Sequence, residues 1–199
     1  MMLRYYRVFN VAQTDLPQPE LPEAPEDPIK PCQTGDKIES AEEILRAYFE
    51  YSTISARRKD RPMVLRADGQ VPSYSPFYDH INMPSMGCFD SPEEYYSTFY
   101  HEMIHSTGAK GRVTRSGIDW ATEGEFSNGK QEYSFEELVA EIGATFLSNR
   151  AGIMQKTIDN AKAYCQNWAK HLKSNPKWIV KASSKSAKAV EFVMGDGDN

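Results

Sequence analysis

The residues of this chain best suited to chemistry are two histidines four positions apart, with a glutamate directly after the first. They form the sequence HEMIH, in which His101 and His105 enclose Glu102. On a helix, side chains four residues apart project from the same face, so both imidazoles can reach one cation. A carboxylate beside that cation can take a proton from an attacking water and pass it to a leaving amine. The motif predicts a zinc site with His101 and His105 as ligands and Glu102 as the catalytic base.

The alternative to a zinc site is a packed helix whose imidazoles only make hydrogen bonds. A third metal ligand elsewhere in the sequence would argue against this alternative. The extended metzincin pattern HExxHxxGxxH is excluded, because Gly111 stands where its last histidine would be. The acidic stretch SFEELVAE, residues 134–141, offers carboxylates instead. Glu137 and Glu141 lie on one face of a helix, so one can bind the ion while the other supports a ligating histidine. We predict Glu137 as ligand and Glu141 as support, and the spacing leaves the reverse order open.

A local explanation competes with this role for Glu137. Ser134 and Glu137 also read as a capping box, in which the glutamate only satisfies the start of a helix. That interpretation leaves Glu136 and Glu141 as surface residues. The ligand hypothesis gives Glu141 a purpose, and we therefore prefer it.

Local signals place both motifs on helices. Ser91 followed by Pro92 predicts a helix start, and Gly108 predicts its end, so one helix carries HEMIH. Ser134 predicts the start of the glutamate-bearing helix. Ser40 with Glu43 predicts an earlier helix through a capping box. Further helices are predicted over 157–173 and 177–193, and short β-like runs over 63–65, 71–74 and 78–83. The pattern favours an α+β fold in which a small sheet packs on the HEMIH helix and the glutamate-bearing helix.

Composition divides the chain into a linker and one domain. Six of the twelve prolines fall between residues 17 and 31, mixed with acids, which favours an extended segment. We expect residues 1–38 to be an N-terminal segment and linker, 39–194 the domain, and 195–199 a disordered tail. No apolar run is long enough for a membrane span, and no signal peptide is visible, so we expect a cytoplasmic protein. The three cysteines form no CxxC pair, which argues against a thiolate zinc site.

Charge and strand patterns suggest partners. The chain carries a net charge of -5, but residues 150–191 contain nine basic residues against two acidic ones. The lysines of this region, four apart in places, could contact nucleic acid; a solvated helix face is the simpler explanation and the one we favour. The stretch 78–84 could be a sheet edge that pairs with an extended peptide substrate. Asp79 within it is more typical of a turn than of a site residue.

Several longer stretches together resemble the C-terminal zincin-like metallopeptidase domain of ArdC-type antirestriction proteins. The most specific are HEMIHSTG and EELVAEIGATFL, and the resemblance covers nearly everything from Ser40 onward. It implies a zincin-like fold in which His101, His105 and one glutamate of the EELVAE sequence hold zinc and Glu102 is the base. It also implies carriage on a mobile element and a part in evading host restriction. DNA binding is not implied, because the resemblance does not include that family's single-stranded-DNA-binding domain.

The leading hypothesis for function is a zinc metallopeptidase that cleaves a protein or peptide substrate. A non-catalytic antirestriction protein, with zinc used only for structure, is the second hypothesis. A DNA-associated accessory protein that relies on the basic C-terminal region is the third.

Overall fold

The computed structural model describes residues 36–49, 61–66, 71–115, 118, 129–155, 172–173 and 176–195. All of these belong to one compact unit, Pro31–Asn199. The segment predicted as a linker, up to residue 35, and most of the helix predicted over 157–173 lie outside the described residues. So do residues 196–199 of the predicted tail.

The described elements alternate helices with a small sheet, in the order α1 (Glu39–Phe49), β1 (Met63–Arg66), β2 (Ser73–Ser75), β3 (His80–Met83), α2 (Pro92–Thr107), α3 (Gly129–Arg150) and α4 (Lys177–Met194). The predicted α+β fold is therefore confirmed. Among the described residues, no helix is both long and apolar enough to cross a membrane.

The sheet has three strands in the order β1-β3-β2. β3 runs parallel to β1, with Val64 opposite Ile81, and antiparallel to β2, with Tyr74 opposite Ile81. The stretch 78–84 is thus the centre of the sheet, and the suggestion that it is an edge for substrate is wrong. Both of its sides are already occupied, because strand order depends on contacts that are distant in sequence. β2 forms an edge of this sheet instead.

The start of α1 differs from its prediction. Ser40 lies inside the helix rather than capping it, because its hydroxyl donates a 2.8 Å hydrogen bond to the carbonyl of Ala151, just after α3. A tertiary contact has taken the place of the capping box. Ser40 therefore ties α1 to the end of the glutamate-bearing helix.

The boundaries of α2 follow the predicted signals. The Ser91 hydroxyl accepts a hydrogen bond from the backbone N–H of Glu94 at 3.2 Å, and Pro92 occupies the first helical position. The helix ends at Thr107, before Gly108. HEMIH therefore lies in the second half of a well-capped helix.

The helix α3 starts earlier than expected, at Gly129. Ser134 is consequently an interior helical residue, and the interpretation of Ser134 with Glu137 as a capping box is wrong. Glu137 is free of that role.

The core includes the contact of α2 with α3. The buried aromatic and aliphatic side chains of α2 are Tyr95, Tyr96, Phe99, Tyr100, Met103 and Ile104. The hydroxyls of Tyr96 and Tyr100 reach α1 instead, where they donate to Glu42 and to the carbonyl of Ala41. Gly143 of α3 lies directly against α2: a Cβ at this position would lie 2.8 Å from the Cδ1 atom of Ile104. The glycine lets the two helices that carry the site motifs come together.

Candidate metal centre

The imidazole rings of the two histidines of α2 face each other through their Nε2 atoms. The Nε2 atoms of His101 and His105 lie 3.0 Å apart, and the ring planes are inclined by 78°. His105 is only 8% exposed. Burial and convergence together exclude two independent surface imidazoles.

Glu137 of α3 completes the group. Its Oε2 atom lies 3.4 Å from His101 Nε2, and its Oε1 atom lies 3.3 Å from His105 Nε2. Zinc bonds of about 2.0–2.1 Å in a tetrahedral arrangement place neighbouring ligand atoms roughly 3.3 Å apart. One ligand atom from each of the three residues lies within 4.8 Å of the others. The three side chains therefore have the chemistry and the spacing to hold a metal ion.

The outer ring nitrogens face two further carboxylates. Nδ1 of His101 lies 3.3 Å from Oε2 of Glu141, and Nδ1 of His105 lies 3.5 Å from Oε1 of Glu136. An N–H at Nδ1 that donates to a carboxylate leaves the lone pair of Nε2 available for a cation. Both imidazoles are thus oriented with Nε2 toward Glu137 and Nδ1 toward a second carboxylate.

The role of Glu136 was missed from the sequence, which placed it on the surface only under the capping-box interpretation of Ser134 and Glu137. It is only 2% exposed, and Arg115 forms a salt bridge with it at 2.6 Å. The available signal was the pair of adjacent acids in a helix with few other charges, but adjacent helical residues point in different directions. Arg115, which stabilises Glu136, comes from a loop distant in sequence.

The carboxylates around the two imidazoles raise the pKa of both histidines, and the imidazoles lower the pKa of Glu137. Burial acts to lower the pKa of His101, but the carboxylates of Glu137 and Glu141 outweigh it and raise the pKa to about 10. The pKa of His105 is also raised, because Glu136 and Glu137 overcome the effect of burial. Burial acts to raise the pKa of Glu137, but the two imidazoles hold it well below its usual range. A divalent cation must therefore displace protons to bind.

A cavity of about 290 Å³ opens beside these residues. Glu102, which is 8% exposed, lines it together with the two histidines. The opposite wall is formed by β2 and its flanks, through Pro72, Ser73, Tyr74 and Pro76. A water or a substrate group can therefore reach the candidate metal ligands and Glu102 from the same space.

Among the described residues that line this cavity, Tyr74 is the one tyrosine. Its hydroxyl donates a 2.8 Å hydrogen bond to Oδ1 of Asp79, while Oδ2 of Asp79 accepts from Arg112 at 2.5 Å. Asp79 has a φ of 50°, in the left-handed region that Asp tolerates in turns. It is therefore a turn residue, as expected, and it also orients a side chain of the cavity wall.

The lysines of α4 do not form one continuous surface. Lys177, Lys181 and Lys188 are exposed, but the Nζ atom of Lys185 lies 5.6 Å from the centre of the Phe135 ring. Lys173 precedes the start of the helix. This arrangement agrees better with a solvated helix face than with a ridge for phosphates.

Comparison with known proteins relates most of the chain to one family. Residues 55–185 match the model of a family described as zincin-like metallopeptidase. Over 188 residues the chain is 34% identical to the DNA primase TraC of Escherichia coli. This match covers 94% of this chain and 15% of the primase. It is 27% identical to protein y4eC of Sinorhizobium fredii, over 97% of this chain and 54% of that protein.

The Mn(II)-bound crystal structure of the antirestriction protein ArdC from plasmid R388 is similar, with a TM-score of 0.60 and 28% identity. The match covers 83% of this chain and 54% of ArdC. The metal-free form of ArdC gives a TM-score of 0.58. The chain thus spans about half the length, or less, of these relatives. The resemblance drawn from the sequence and the zincin-like fold are both confirmed. The prediction of a metal cofactor is confirmed at the level of the family, and the side chains of His101, His105 and Glu137 form a group that could hold the ion.

Proposed function

This chain belongs to the zincin-like metallopeptidase family, and we propose that it is a zinc-dependent peptidase that hydrolyses peptide bonds of a protein substrate. One observation carries the proposal: Nε2 of His101, Nε2 of His105 and the carboxylate of Glu137 converge beside Glu102 at an accessible cavity. Sites in which zinc is purely structural usually have four protein ligands, whereas catalytic sites have three and an open position. Three ligands that border a cavity favour catalysis.

In this proposal His101, His105 and Glu137 would hold the ion, which would supply Lewis-acid chemistry. Glu102 takes a proton from the attacking water and then donates it to the leaving amine. Its place directly after His101 on α2 puts the carboxylate at the cavity, next to the ligands. Glu136 and Glu141 keep the imidazoles oriented throughout.

The substrate would enter along β2. This edge strand lines the cavity and is paired on one side by β3. An extended peptide can add to such an edge through main-chain hydrogen bonds. Because Pro72 and Pro76 bracket β2 and proline cannot donate a backbone hydrogen bond, the paired stretch would be short. We therefore expect recognition of a few extended residues around the cleaved bond.

A non-catalytic role is the second candidate, because the similar crystal structures are those of an antirestriction protein, ArdC. In that case the ion would only stabilise the fold, and Glu102 would have no chemical task. Antirestriction itself, carriage on a mobile element and contact with nucleic acid are carried to this chain only as proposals.

One comparison of variants separates the two candidates. Purified protein is assayed for zinc content and for cleavage of unfolded protein substrates, together with Glu102→Gln and His105→Ala. The peptidase proposal predicts that Glu102→Gln retains zinc but loses roughly 100-fold or more of its activity, since a general base contributes about 10²–10⁴. His105→Ala should lose zinc as well. Antirestriction activity that survives in Glu102→Gln, without any cleavage by the wild type, would establish the non-catalytic role instead.

A further inference from the structure

Behind His105 lies an arginine that the sequence did not single out. Arg115 is only 2% exposed, and its guanidinium faces the carboxylate of Glu136. Its Nε atom donates to Oε1 at 3.0 Å and to Oε2 at 2.9 Å, and its Nη2 atom donates to Oε1 at 2.6 Å. A pair with this many charge-assisted hydrogen bonds has one defined geometry.

The same guanidinium also binds the end of α2. Nη2 donates to the carbonyl of Ile104 at 2.5 Å, and Nη1 donates to the hydroxyl of Thr107 at 2.7 Å. The last carbonyls of a helix lack partners within the helix and carry partial negative charge, so a cation there is favourable. Arg115 therefore joins the C-terminal end of α2 to α3. Its contacts on α2, Ile104 and Thr107, flank His105 in the sequence.

Gly108 makes room for this arrangement. A Cβ at this position would lie 2.9 Å from Nη2 of Arg115 and 2.5 Å from Cγ1 of Ile118. The φ angle of Gly108 is -74°, which any residue can adopt, so space rather than backbone conformation accounts for the glycine. The glycine of the HEMIHSTG sequence is thus explained by the Ile118 and Arg115 side chains that pack against it.

Glu136 connects this buried pair to the metal centre. Its Oε1 atom, which accepts from Arg115, also lies 3.5 Å from Nδ1 of His105. The matching acid for the other histidine, Glu141, has a side chain that is 19% exposed, against 3% for Glu136. Water can therefore compensate for changes around His101 more easily than around His105. If Arg115 were absent, Glu136 would lose the hydrogen bonds that fix its position, and its buried carboxylate would reorient.

We infer that Arg115 is a positioning residue for the metal centre: by fixing the carboxylate of Glu136, it holds the His105 ring in the orientation that directs Nε2 toward His101 and Glu137. The inference rests on the metal centre of the proposed function, but it does not need the peptidase reaction. Its direct consequence is the affinity for zinc, because changes in groups that orient metal ligands cost roughly 10- to 100-fold in affinity.

The chain offers a matched control in Arg112. This arginine lies in the same loop, has a side chain only 4% exposed, donates to the carbonyl of Ser106 at 2.6 Å and forms a salt bridge with Asp79. It thus also joins α2 to another element, but its acid partner belongs to a turn of the sheet. Arg115→Met and Arg112→Met each remove a buried arginine from the end of α2. A purely structural role predicts the same result for both.

The experiment measures zinc affinity by competition with a chelator and the melting temperature of the metal-free form, for the wild type and both variants. We expect both variants to melt at lower temperature, but only Arg115→Met to lose affinity, by about 10- to 100-fold. Glu136→Gln, which keeps the shape of the side chain, should lose zinc affinity in the same range. The zinc affinity of Arg115→Lys should lie between that of Arg115→Met and that of the wild type. The double variant Arg115→Met with Glu136→Gln should lose little more than either single change, because both act through one contact.

Equal zinc affinity in the wild type and Glu136→Gln would overturn the inference, and so would equal losses in Arg115→Met and Arg112→Met. Should Arg115→Met fail to fold, Glu136→Gln and Arg115→Lys decide by the same criteria. A wild type without affinity for zinc would overturn both the inference and the proposed function. A protein that binds zinc in an Arg115-dependent manner but cleaves nothing would keep the inference and remove only the peptidase proposal.

Discussion

The carboxylate of Glu141 lies 3.3 Å from Nδ1 of His101, on the opposite side of the ring from Glu137, whose Oε2 atom lies 3.4 Å from Nε2. Two acids one turn apart on α3 therefore face the two nitrogens of a single imidazole. Only Glu137 also reaches the Nε2 atom of His105. This geometry supports different roles for two residues that the sequence spacing left interchangeable.

Substitution of these two acids should give unequal losses. Glu141→Gln should weaken zinc binding by roughly 10- to 100-fold, because it loosens an imidazole without removing a ligand. Glu137→Gln should weaken it further, since an amide oxygen is a poorer ligand than a carboxylate. Chelator competition on the metal-free variants measures both constants. A larger loss in Glu141→Gln would reverse the assignment of ligand and support.

Zinc binding should release protons at neutral pH. The pKa of His101 in the metal-free protein is raised to about 10, so at pH 7 the imidazole carries a proton that the ion must displace. Apparent affinity should therefore increase as the pH rises from 7 towards 10. Calorimetry in two buffers of different ionisation enthalpy counts the protons released. Binding without proton release across this range would contradict the electrostatics described for the site.

The same shift affects the stability of the metal-free fold. A raised pKa means that the folded state binds the proton more tightly than the unfolded state. This stabilisation is fully present below pH 6.5 and is lost as the pH rises through about 10. The melting temperature of chelator-treated protein should fall over that interval, whereas zinc-saturated protein should show a weaker dependence. His101→Ala, which removes the group, is the control.

A methyl group added at the contact of α2 with α3 should destabilise the protein. Alanine normally favours a helix over glycine by about 1 kcal/mol, but the new Cβ of Gly143→Ala would lie 2.8 Å from a fully buried Ile104 side chain. We expect a net loss of about 1–3 kcal/mol in the free energy of unfolding, measured with urea. Ile104→Val should recover part of this loss when combined with Gly143→Ala, because it removes the Cδ1 atom that is among the closest to the new methyl group. Two strictly additive losses would show that the contact is not steric.

Substitutions at the turn between β2 and β3 should destabilise the cavity wall and leave the metal centre unchanged. Asp79→Asn keeps a residue that tolerates the left-handed backbone but removes the charge that faces Arg112. We expect a loss of about 1–2 kcal/mol in the free energy of unfolding. Tyr74→Phe, which removes only the hydroxyl that donates to Asp79, should cost less. Zinc affinity should be that of the wild type in both, and a decrease in either would place this turn among the supports of the ligands.

Local signals predicted the elements that carry the site. The cap at Ser91, the proline at position 92 and the glycine at position 108 act within a few residues of one another, and α2 has the bounds they indicate. The spacing of Glu137 and Glu141 likewise placed both on the face that meets the histidines, because helical periodicity is a local property.

Contacts between distant residues were the part that could not be predicted. The burial of Glu136 was not predicted because it depends on Arg115, 21 positions away, and Ser40 was misread because its partner, Ala151, is 111 positions away. The central place of β3 depends on strand order, which no single segment encodes. In each case a tertiary partner decided between two roles that the same residue could play.

The division of the proposed ligands between α2 and α3 would also govern when the proposed activity can arise. A ribosome releases the HEMIH sequence before Glu137, and a chain that stops between them has two histidines without Glu137 to complete the set. Under the proposed function, cleavage could begin only after both helices have been made and have packed together.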